Sequence, residues 1–332
     1  MAQKATSHRE RIETCLSGEK PDAVPVALWR HSPVDDQTPE GLAAATADFQ
    51  RHYDFDLIKV TPASSFCIKD WGADDRCTGN DHGTRDYVVY PVQNPEDWEK
   101  LQILDPCAGH LGKQITCLQL LVEEFSPHTP ILQTIFNPLS QAKNLAGSER
   151  LLVHLRRYPG AVTAGLKTIT QTTIRFIEEI KKLDIAGIFF AIQHAQYGIF
   201  SESEFEIFCR PFDLQILVSA DKFWLNVVHI HGENIMFDQV LDYPSAVLNW
   251  HDRSTQPSLV EAQKKYSGVV CGGLRQHETI VLGAPQEVTA EAMDAVQSTD
   301  GIKFILGTGC VTPIIAPHGN LLAARNSVRE MP

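Results

Sequence analysis

The sequence has no apolar run of about 18 or more residues, the length that a membrane-spanning helix needs, and its opening stretch, MAQKATSHRERIETCLSGEK, is too polar for a secretion signal. It has no arginine or lysine tract, and its formal net charge is −12, so we expect no general attraction to nucleic acid or anionic lipid. The eight cysteines are dispersed without a CxxC pair, which indicates free thiols in a reducing compartment. Together these absences predict a cytoplasmic protein that binds neither nucleic acid nor a membrane.

Short runs rich in branched apolar residues alternate with longer stretches of helical periodicity. The predicted strands are VPVALW (24–29), DLIKVT (56–61), ILQTIF (131–136), AGIFFAI (186–192), LNVVHIH (225–231), AVLNWH (246–251), GVVCGGL (268–274) and KFILGTG (303–309). Eight strands alternating with helices over 332 residues predict an α/β TIM (β/α)8 barrel, with residues 1–332 as a single domain. The alternative is a doubly wound open sheet, which a GxGxxG turn after the first strand would favour; that motif is missing.

A long insertion, at about residues 63–130, separates the second and third predicted strands. It includes WGADDRCTGNDHGTRDYVVYPVQNPEDWEKL, which is rich in glycine, aspartate and aromatic residues. A loop that leaves the C-terminal end of a barrel strand lies on the active face. We therefore predict a lid or pocket wall here, built around a small hairpin. The alternative is a structural excursion without a function.

Polar side chains follow the C-terminal ends of most predicted strands, where the catalytic groups of such barrels lie. Three of them are candidates for proton transfer or substrate anchoring: His194, His251 and Asp252. Five more are candidates for binding a small-molecule substrate: Arg30, His31, Asn137, Gln193 and Arg275. A purely structural role is the alternative for each.

The stretch HIHGEN, residues 229–234, ends the fifth predicted strand and suggests a metal site. Side chains two apart on a strand point to the same face, so His229 and His231 could enter the barrel mouth together. Cys310 follows the eighth strand in GTGC and could reach the same point. Two imidazoles and a thiolate are a ligand set of zinc type with a fourth position open. Glu233 is a further candidate ligand, or a hydrogen-bond partner of one. The alternative is a pair of hydrogen-bonded histidines without a metal.

Several stretches are similar to motifs of the uroporphyrinogen decarboxylase superfamily. They are, in order, RERIETCLSGEKPDAVPVALW, DFDLIKVTP, DWGADDR, FNPLSQAKNLAG, HIHG, LDYPSAVLNW, GAPQEV and ILGTGCVTPIIAPHGNLLAARNSVRE, and they span nearly the whole chain. The resemblance implies a distorted TIM barrel, a site at the strand C-termini and a homodimer.

The true uroporphyrinogen decarboxylases of this superfamily use no cofactor and bind their substrate through an arginine-rich motif of the MRQAGR type. Here that place reads VALWRHSPVDD, with Arg30 alone, and the late NLGHG stretch is replaced by ILGTGC. A substrate with eight carboxylates needs several cationic anchors, so these departures argue against uroporphyrinogen as the substrate.

A second branch, the zinc-dependent methyltransferases that work with methyl-corrinoid proteins, has HxCG after the fifth strand and GC after the eighth. This pattern falls on His229, His231 and Cys310, with histidine at 231 in place of cysteine. A neutral ligand there leaves zinc more Lewis-acidic and a zinc-bound thiolate less nucleophilic. The resemblance is therefore closer to this branch.

The leading hypothesis is an enzyme that transfers a methyl or other one-carbon group, with Zn²⁺ held by the candidate ligands, an acceptor such as a thiol, and a methyl-corrinoid protein as donor and partner. The first alternative is a carboxy-lyase acting on a porphyrinogen or a smaller acid. The second is a tetrapyrrole- or corrinoid-binding protein without catalysis.

Overall fold

A computed structural model describes residues 6–329 and contains ten strands within them. In chain order these are β1 (Val26–Ala27), β2 (Ile58–Val60), β3 (Asp74–Cys77), β4 (Arg85–Val89), β5 (Ile131–Phe136), β6 (Gly187–Ile192), β7 (Val227–Ile230), β8 (Val247–Trp250), β9 (Val269–Leu274) and β10 (Phe304–Thr308). The α-helices are α1 (His8–Ser17), α2 (Pro39–Tyr53), α3 (Asp97–Lys100), α4 (Gly109–Phe125), α5 (Pro138–Ala146), α6 (Ser148–Arg157), α7 (Pro159–Ile180), α8 (Glu202–Phe208), α9 (Arg210–Ser219), α10 (Leu259–Lys265), α11 (Pro285–Ser298) and α12 (His318–Asn326).

Eight parallel strands form a nearly closed barrel in the order β1-β10-β9-β8-β7-β6-β5-β2, surrounded by helices. The predicted TIM-barrel fold is therefore confirmed, and each predicted strand contains an observed one. Strands β5, β6 and β9 are buried along their whole length. Since helices cover the outside of a parallel barrel, both faces of its strands are buried, which explains why these segments are continuous apolar runs.

The first two strands close the barrel through a buried carboxylate instead of a regular ladder. The backbone N–H of Asp56 donates to the carbonyl of Val26 at 2.8 Å, and the backbone N–H of Val26 donates to Asp56 Oδ2 at 2.8 Å. Asp56 is fully buried, and it is paired with Arg11, His8 and Arg325 at 2.5, 2.8 and 3.1 Å. These partners compensate the cost of burying its charge.

The insertion between β2 and β5 contains the antiparallel hairpin β3–β4 followed by α3 and α4. The tip of the hairpin reaches the barrel mouth: the N–H of Ile314 donates to the carbonyl of Asp81 at 2.8 Å, and the His82 ring lies 4.9 Å from the His277 ring. The insertion therefore contains a hairpin, as predicted. Its action as a lid and the assignment of residues 1–332 to a single domain stay predictions. None of the helices within residues 6–329 is long and apolar enough to cross a membrane.

Candidate metal centre

Two neighbouring strands place three of the candidate histidines side by side. Strands β7 and β8 are parallel and in register, with His229 opposite Asn249. Two residues further on, side chains point to the same face again, so His231 and His251 follow as a second row. The ring centroids of His231 and His251 are 5.3 Å apart, and those of His229 and His231 are 5.7 Å apart.

Cys310 joins the histidines from the end of β10, and the residue before it must be small. A Cβ on Gly309 would lie 2.5 Å from the Cα of His251 and 2.9 Å from the carbonyl oxygen of Trp250, closer than real Cβ atoms come to the backbone of a neighbouring strand. Glycine therefore lets the chain pass close to β8. As a result, Cys310 Sγ lies 3.6 Å from His231 Nδ1.

The four ligand atoms of His229, His231, His251 and Cys310 all lie within 4.8 Å of one another. No other group of His, Cys, Asp and Glu side chains within residues 6–329 has this metal-binding arrangement. His251, expected from the sequence to transfer protons or anchor a substrate, is thus a member of the cluster. Glu233 is exposed at the cavity rim and is not a member.

Two buried imidazole nitrogens that lack hydrogen-bond partners indicate whether this cluster fits a metal ion. His229 Nε2 and His251 Nε2 are buried and have no hydrogen-bond partner among the described residues. Leaving such a group unsatisfied costs about 1–3 kcal/mol each, and a coordinated ion removes that cost. Three imidazoles and a thiolate are donors that zinc prefers, in the number of a tetrahedral site. The residues therefore fit a zinc-type ion, and the ligand roles stay predictions.

The electrostatics of the cluster favour the thiolate form of Cys310. Burial by itself raises the pKa of this thiol, but the close approach of His229, His231 and His251 outweighs burial and brings the pKa well below its usual value. Burial lowers the pKa of His229 and keeps its imidazole neutral. For His231, burial lowers the pKa, but the hydrogen bond with Cys310 outweighs it and raises the pKa overall. A thiolate is the form of cysteine that binds metal.

The cluster lies in the wall of a cavity of about 880 Å³ at the barrel mouth, which the hairpin also lines. Of the residues predicted from the sequence to act on a substrate, the following line this cavity: His31, Gln193, His251, Asp252 and Arg275. Burial raises the pKa of Asp252 to about 6, and the Arg275 guanidinium is paired with Glu291.

The other three predicted residues lie outside that cavity. The Arg30 guanidinium stacks 4.9 Å from the Phe49 ring in a separate small pocket. Asn137 is buried as the N-cap of α5, and its amide nitrogen donates to Asp213 at 3.1 Å. His194 lines an adjoining cavity of about 240 Å³, and burial lowers its pKa to about 3. None of these three side chains therefore lines the main cavity.

Sequence reasoning missed Lys59 and Asn249. Lys59 lines the main cavity, and Asn249 accepts a hydrogen bond from His229. Both interrupt apolar runs, DLIKVT and AVLNW. A polar residue within a strand that is otherwise buried on both faces needs a partner inside the barrel, and this signal could have identified them.

Comparison with known proteins gives a family and a fold. The model of the family described as uroporphyrinogen decarboxylase (URO-D) matches residues 35–331. Among solved structures, the chain is similar to a methyltransferase from Methanosarcina mazei, with a TM-score of 0.84, 16% identity and 97% and 98% of the two chains covered.

It is also similar to a B12-independent methionine synthase from Shewanella sp. W3-18-1 in complex with selenomethionine, with a TM-score of 0.58, 15% identity and 94% and 95% coverage. At these identities the likeness shows a shared fold. No match was found among curated proteins. Because the family model covers most of the sequence, the chain belongs to the uroporphyrinogen decarboxylase family.

Proposed function

We propose that this protein is a metal-dependent methyltransferase in which His229, His231, His251 and Cys310 hold a zinc-type ion, and a thiol or related acceptor receives the methyl or other one-carbon group. The observation that carries the proposal is the cluster of four ligand atoms within 4.8 Å of one another in the wall of a large cavity. The shared fold with a methyltransferase from Methanosarcina mazei supports it.

The ion would supply Lewis acidity that lowers the pKa of an acceptor thiol, and it would have to take the thiol sulfur as a further ligand beside these side chains. The protein's own residues prepare this site. Asn249 holds the His229 ring by a hydrogen bond of 2.7 Å, so that Nε2 faces the cluster. The anionic Cys310 partly balances the charge of a divalent ion. With one thiolate and three neutral imidazoles, the site keeps a net positive charge, which favours an anionic sulfur in the cavity.

The carboxyl group that we propose for proton exchange near the cluster is that of Asp252. It follows His251 directly and lines the cavity, and the backbone N–H of Gly273 lies 3.1 Å from both of its oxygens, which share this donor. With its pKa raised to about 6 by burial, it can take up and release a proton near neutral pH. This makes it the candidate acceptor for the proton that the incoming thiol loses.

The donor we propose is a methyl-corrinoid bound to a partner protein, as the resemblance to the corrinoid-dependent branch implies. A cavity of about 880 Å³ is within the usual size range of sites for small molecules. The corrinoid partner, the homodimer and the identity of the acceptor all stay predictions.

The decisive experiment combines elemental analysis with a methyl-transfer assay. The purified protein should contain about one equivalent of zinc or a similar ion, and it should catalyse loss of the methyl group of methylcobalamin in the presence of a thiol. Removal of the ion with a chelator should abolish the reaction, and zinc should restore it. Methyl transfer by the metal-free protein would overturn the proposal, and so would a protein that binds no divalent ion. Conversion of uroporphyrinogen would instead favour a carboxy-lyase.

A further inference from the structure

The cavity has a second polar wall, away from the metal cluster, formed by Lys59 and His31. Lys59 projects from β2 into the barrel, and His31 follows β1; both line the cavity. Lys59 is 7% exposed and His31 is 8% exposed, so both side chains are more than nine-tenths buried. Buried polar groups of this kind need partners.

Neither side chain has a sufficient partner in the part of the chain that the structure describes. Lys59 Nζ makes one hydrogen bond, to Thr61 Oγ1 at 3.3 Å, and no ion pair with a carboxylate is found for it within residues 6–329. The rings of Phe189 and Trp29 lie 4.6 and 5.7 Å from it and stabilise the ammonium group further. Nδ1 of His31 is buried without any hydrogen-bond partner among these residues. An ammonium group that is buried without a carboxylate partner is costly unless an anion arrives.

The surrounding charges also favour an anion. Of the acidic side chains that line the cavity, those of Asp86, Glu233 and Glu278 are exposed, unlike Lys59. Asp252 is held by the backbone N–H of Gly273. The Cys310 thiolate is hydrogen-bonded to His231; burial lowers the pKa of Lys59 to about 7, although the Cys310 charge acts to raise it. No carboxylate of the described residues is therefore paired with Lys59.

This wall is close to the metal cluster. The Phe189 ring neighbours both: its centroid is 4.6 Å from Lys59 Nζ and 5.4 Å from that of the stacked His229 ring. Lys59 Nζ is consequently within about 10 Å of the His229 ring. A molecule with a chain of a few carbon atoms can reach from one to the other.

We infer that Lys59 and His31 form a carboxylate-binding subsite that anchors a short carboxylic acid while its other end meets the metal cluster. An ammonium and an imidazole N–H offer one donor to each of the two carboxylate oxygens. The inference rests on the proposed function for the reacting end of the molecule, and it names the class of acceptor as a short-chain thiol carboxylate.

The first test measures binding, not turnover, with two probes of equal length. The zinc-loaded protein is titrated calorimetrically with 3-mercaptopropionate and with uncharged 3-mercaptopropanol. The carboxylate should bind at least about 10-fold more tightly, as expected for a hydrogen bond to a charged group. In Lys59→Met, which replaces the ammonium by an apolar chain of similar length, this preference should fall to about 1, while 3-mercaptopropanol binds as before.

A matched control comes from the same cavity. Lys143 also lines it, but its Nζ donates to Gln193 Oε1 at 2.8 Å. Lys143→Met should keep most of the preference for the carboxylate. An equal loss in both variants would mean that general positive charge attracts the anion, and it would overturn the subsite. His31→Phe is a second variant that leaves Lys59 in place, and it should reduce the preference several-fold. An unchanged preference in this variant and in Lys59→Met would also overturn the inference.

A second arm separates failure of the subsite from failure of the proposed function. Propionate has no thiol, so its binding to the metal-free protein depends on the subsite alone. It should be detected by ligand-observed NMR with the wild type and with Lys143→Met, and lost in Lys59→Met. If propionate binds in this way but the thiol probes show no metal-dependent gain, the subsite stands and the metal-site proposal fails. If propionate binds to Lys59→Met as well as to the wild type, the subsite fails whatever the metal content.

Discussion

Asn249 accepts a hydrogen bond of 2.7 Å from His229, and the bonds of its amide nitrogen fix the orientation of its side chain. The amide nitrogen of Asn249 donates to the backbone carbonyls of Cys271 and Thr308 at 2.9 and 3.1 Å. Its oxygen must therefore face His229 and can only accept. Nδ1 of His229 consequently carries the proton, and the lone pair of Nε2 is directed at the cluster. A strand residue without any ligand atom thus sets the tautomer of a candidate ligand.

Replacing Asn249 by leucine should weaken metal binding without removing a ligand. The His229 ring would lose its fixed tautomer and orientation, and losses of this kind cost about 10- to 100-fold in affinity. Competition with a chromophoric chelator measures the change. Asn226→Leu is the matched control, because Asn226 is also buried and its side chain bonds the backbone of Ile188 and Ala220. It should lower stability but leave the affinity unchanged. Equal affinities in Asn249→Leu and the wild type would contradict the tautomer argument.

His251→Ala tests whether this residue belongs to the metal cluster. Loss of a ligand should lower the affinity by more than the roughly 100-fold upper range for residues that only support a ligand. Two controls bracket the result: His194→Ala removes a buried histidine outside the cluster, and Glu233→Gln removes the exposed carboxylate at the rim. Both should bind metal like the wild type. A greater loss in Glu233→Gln than in His251→Ala would reverse the assignment.

Much of this centre could be predicted from the sequence because its residues obey short-range rules. HIH at a strand end predicts two imidazoles on one face. GTGC, which follows the eighth strand, predicts a cysteine at the same end of the barrel. The third imidazole follows from strand register, which pairs His229 with Asn249 and hence aligns His231 with His251. Register between separate strands cannot be read from either strand alone, so the sequence did not predict that His251 lies beside the other three candidate ligands.

The barrel itself was predictable because its apolar runs are long and buried on both faces. The positions of single polar side chains were less predictable. Arg30 directly follows a strand, yet its guanidinium packs on Phe49 outside the main cavity. Lys59 stands within an apolar run and points into the cavity. Strand ends bend, and the direction of a long side chain there depends on packing that the sequence does not encode locally.

His231→Cys should keep the metal and change the chemistry of the centre. The variant places thiolates at positions 231 and 310, adding a negative charge to the ligand set and making the ion less Lewis-acidic. A thiol bound to that ion should then be more nucleophilic. We expect an unchanged metal content and faster alkylation of bound 3-mercaptopropanol by methyl iodide than in the wild type. His231→Ala should lose metal affinity instead. A slower alkylation in His231→Cys at full metal content would contradict the charge argument.

Asp56→Ala should destabilise the whole barrel. The substitution removes the acceptor of the Val26 N–H and leaves Arg11 and Arg325 without their buried counter-charge. Removing one partner of a buried ion pair costs about 3–5 kcal/mol. Denaturant unfolding followed by circular dichroism measures this loss. Asp22→Ala is the control, because Asp22 pairs with the same Arg11 but is 42% exposed; it should cost at most about 1 kcal/mol. Similar losses in the two variants would contradict the closure role of Asp56.

Asp213 should make the protein less stable as the pH rises towards neutrality. Burial raises the pKa of this carboxyl to about 7, despite hydrogen bonds from the Asn137 amide and the Tyr243 hydroxyl. Between the unfolded pKa of about 4 and the folded value, the folded state therefore holds a proton that the unfolded chain has released. Its stabilising contribution is complete below about pH 4. It falls by about 1.4 kcal/mol per pH unit in this window and is lost as the pH passes through 7.

The test is the difference in free energy of unfolding between the wild type and Asp213→Asn, measured from pH 4.5 to pH 8. The amide cannot ionise, so only the wild type loses stability through Asp213, and other titrating groups cancel because both proteins contain them. The difference should move steadily in favour of Asp213→Asn up to about pH 7 and stay constant above it. A difference that is independent of pH would show that this carboxyl is ionised in the folded state at pH 4.5, and that its partners compensate its burial.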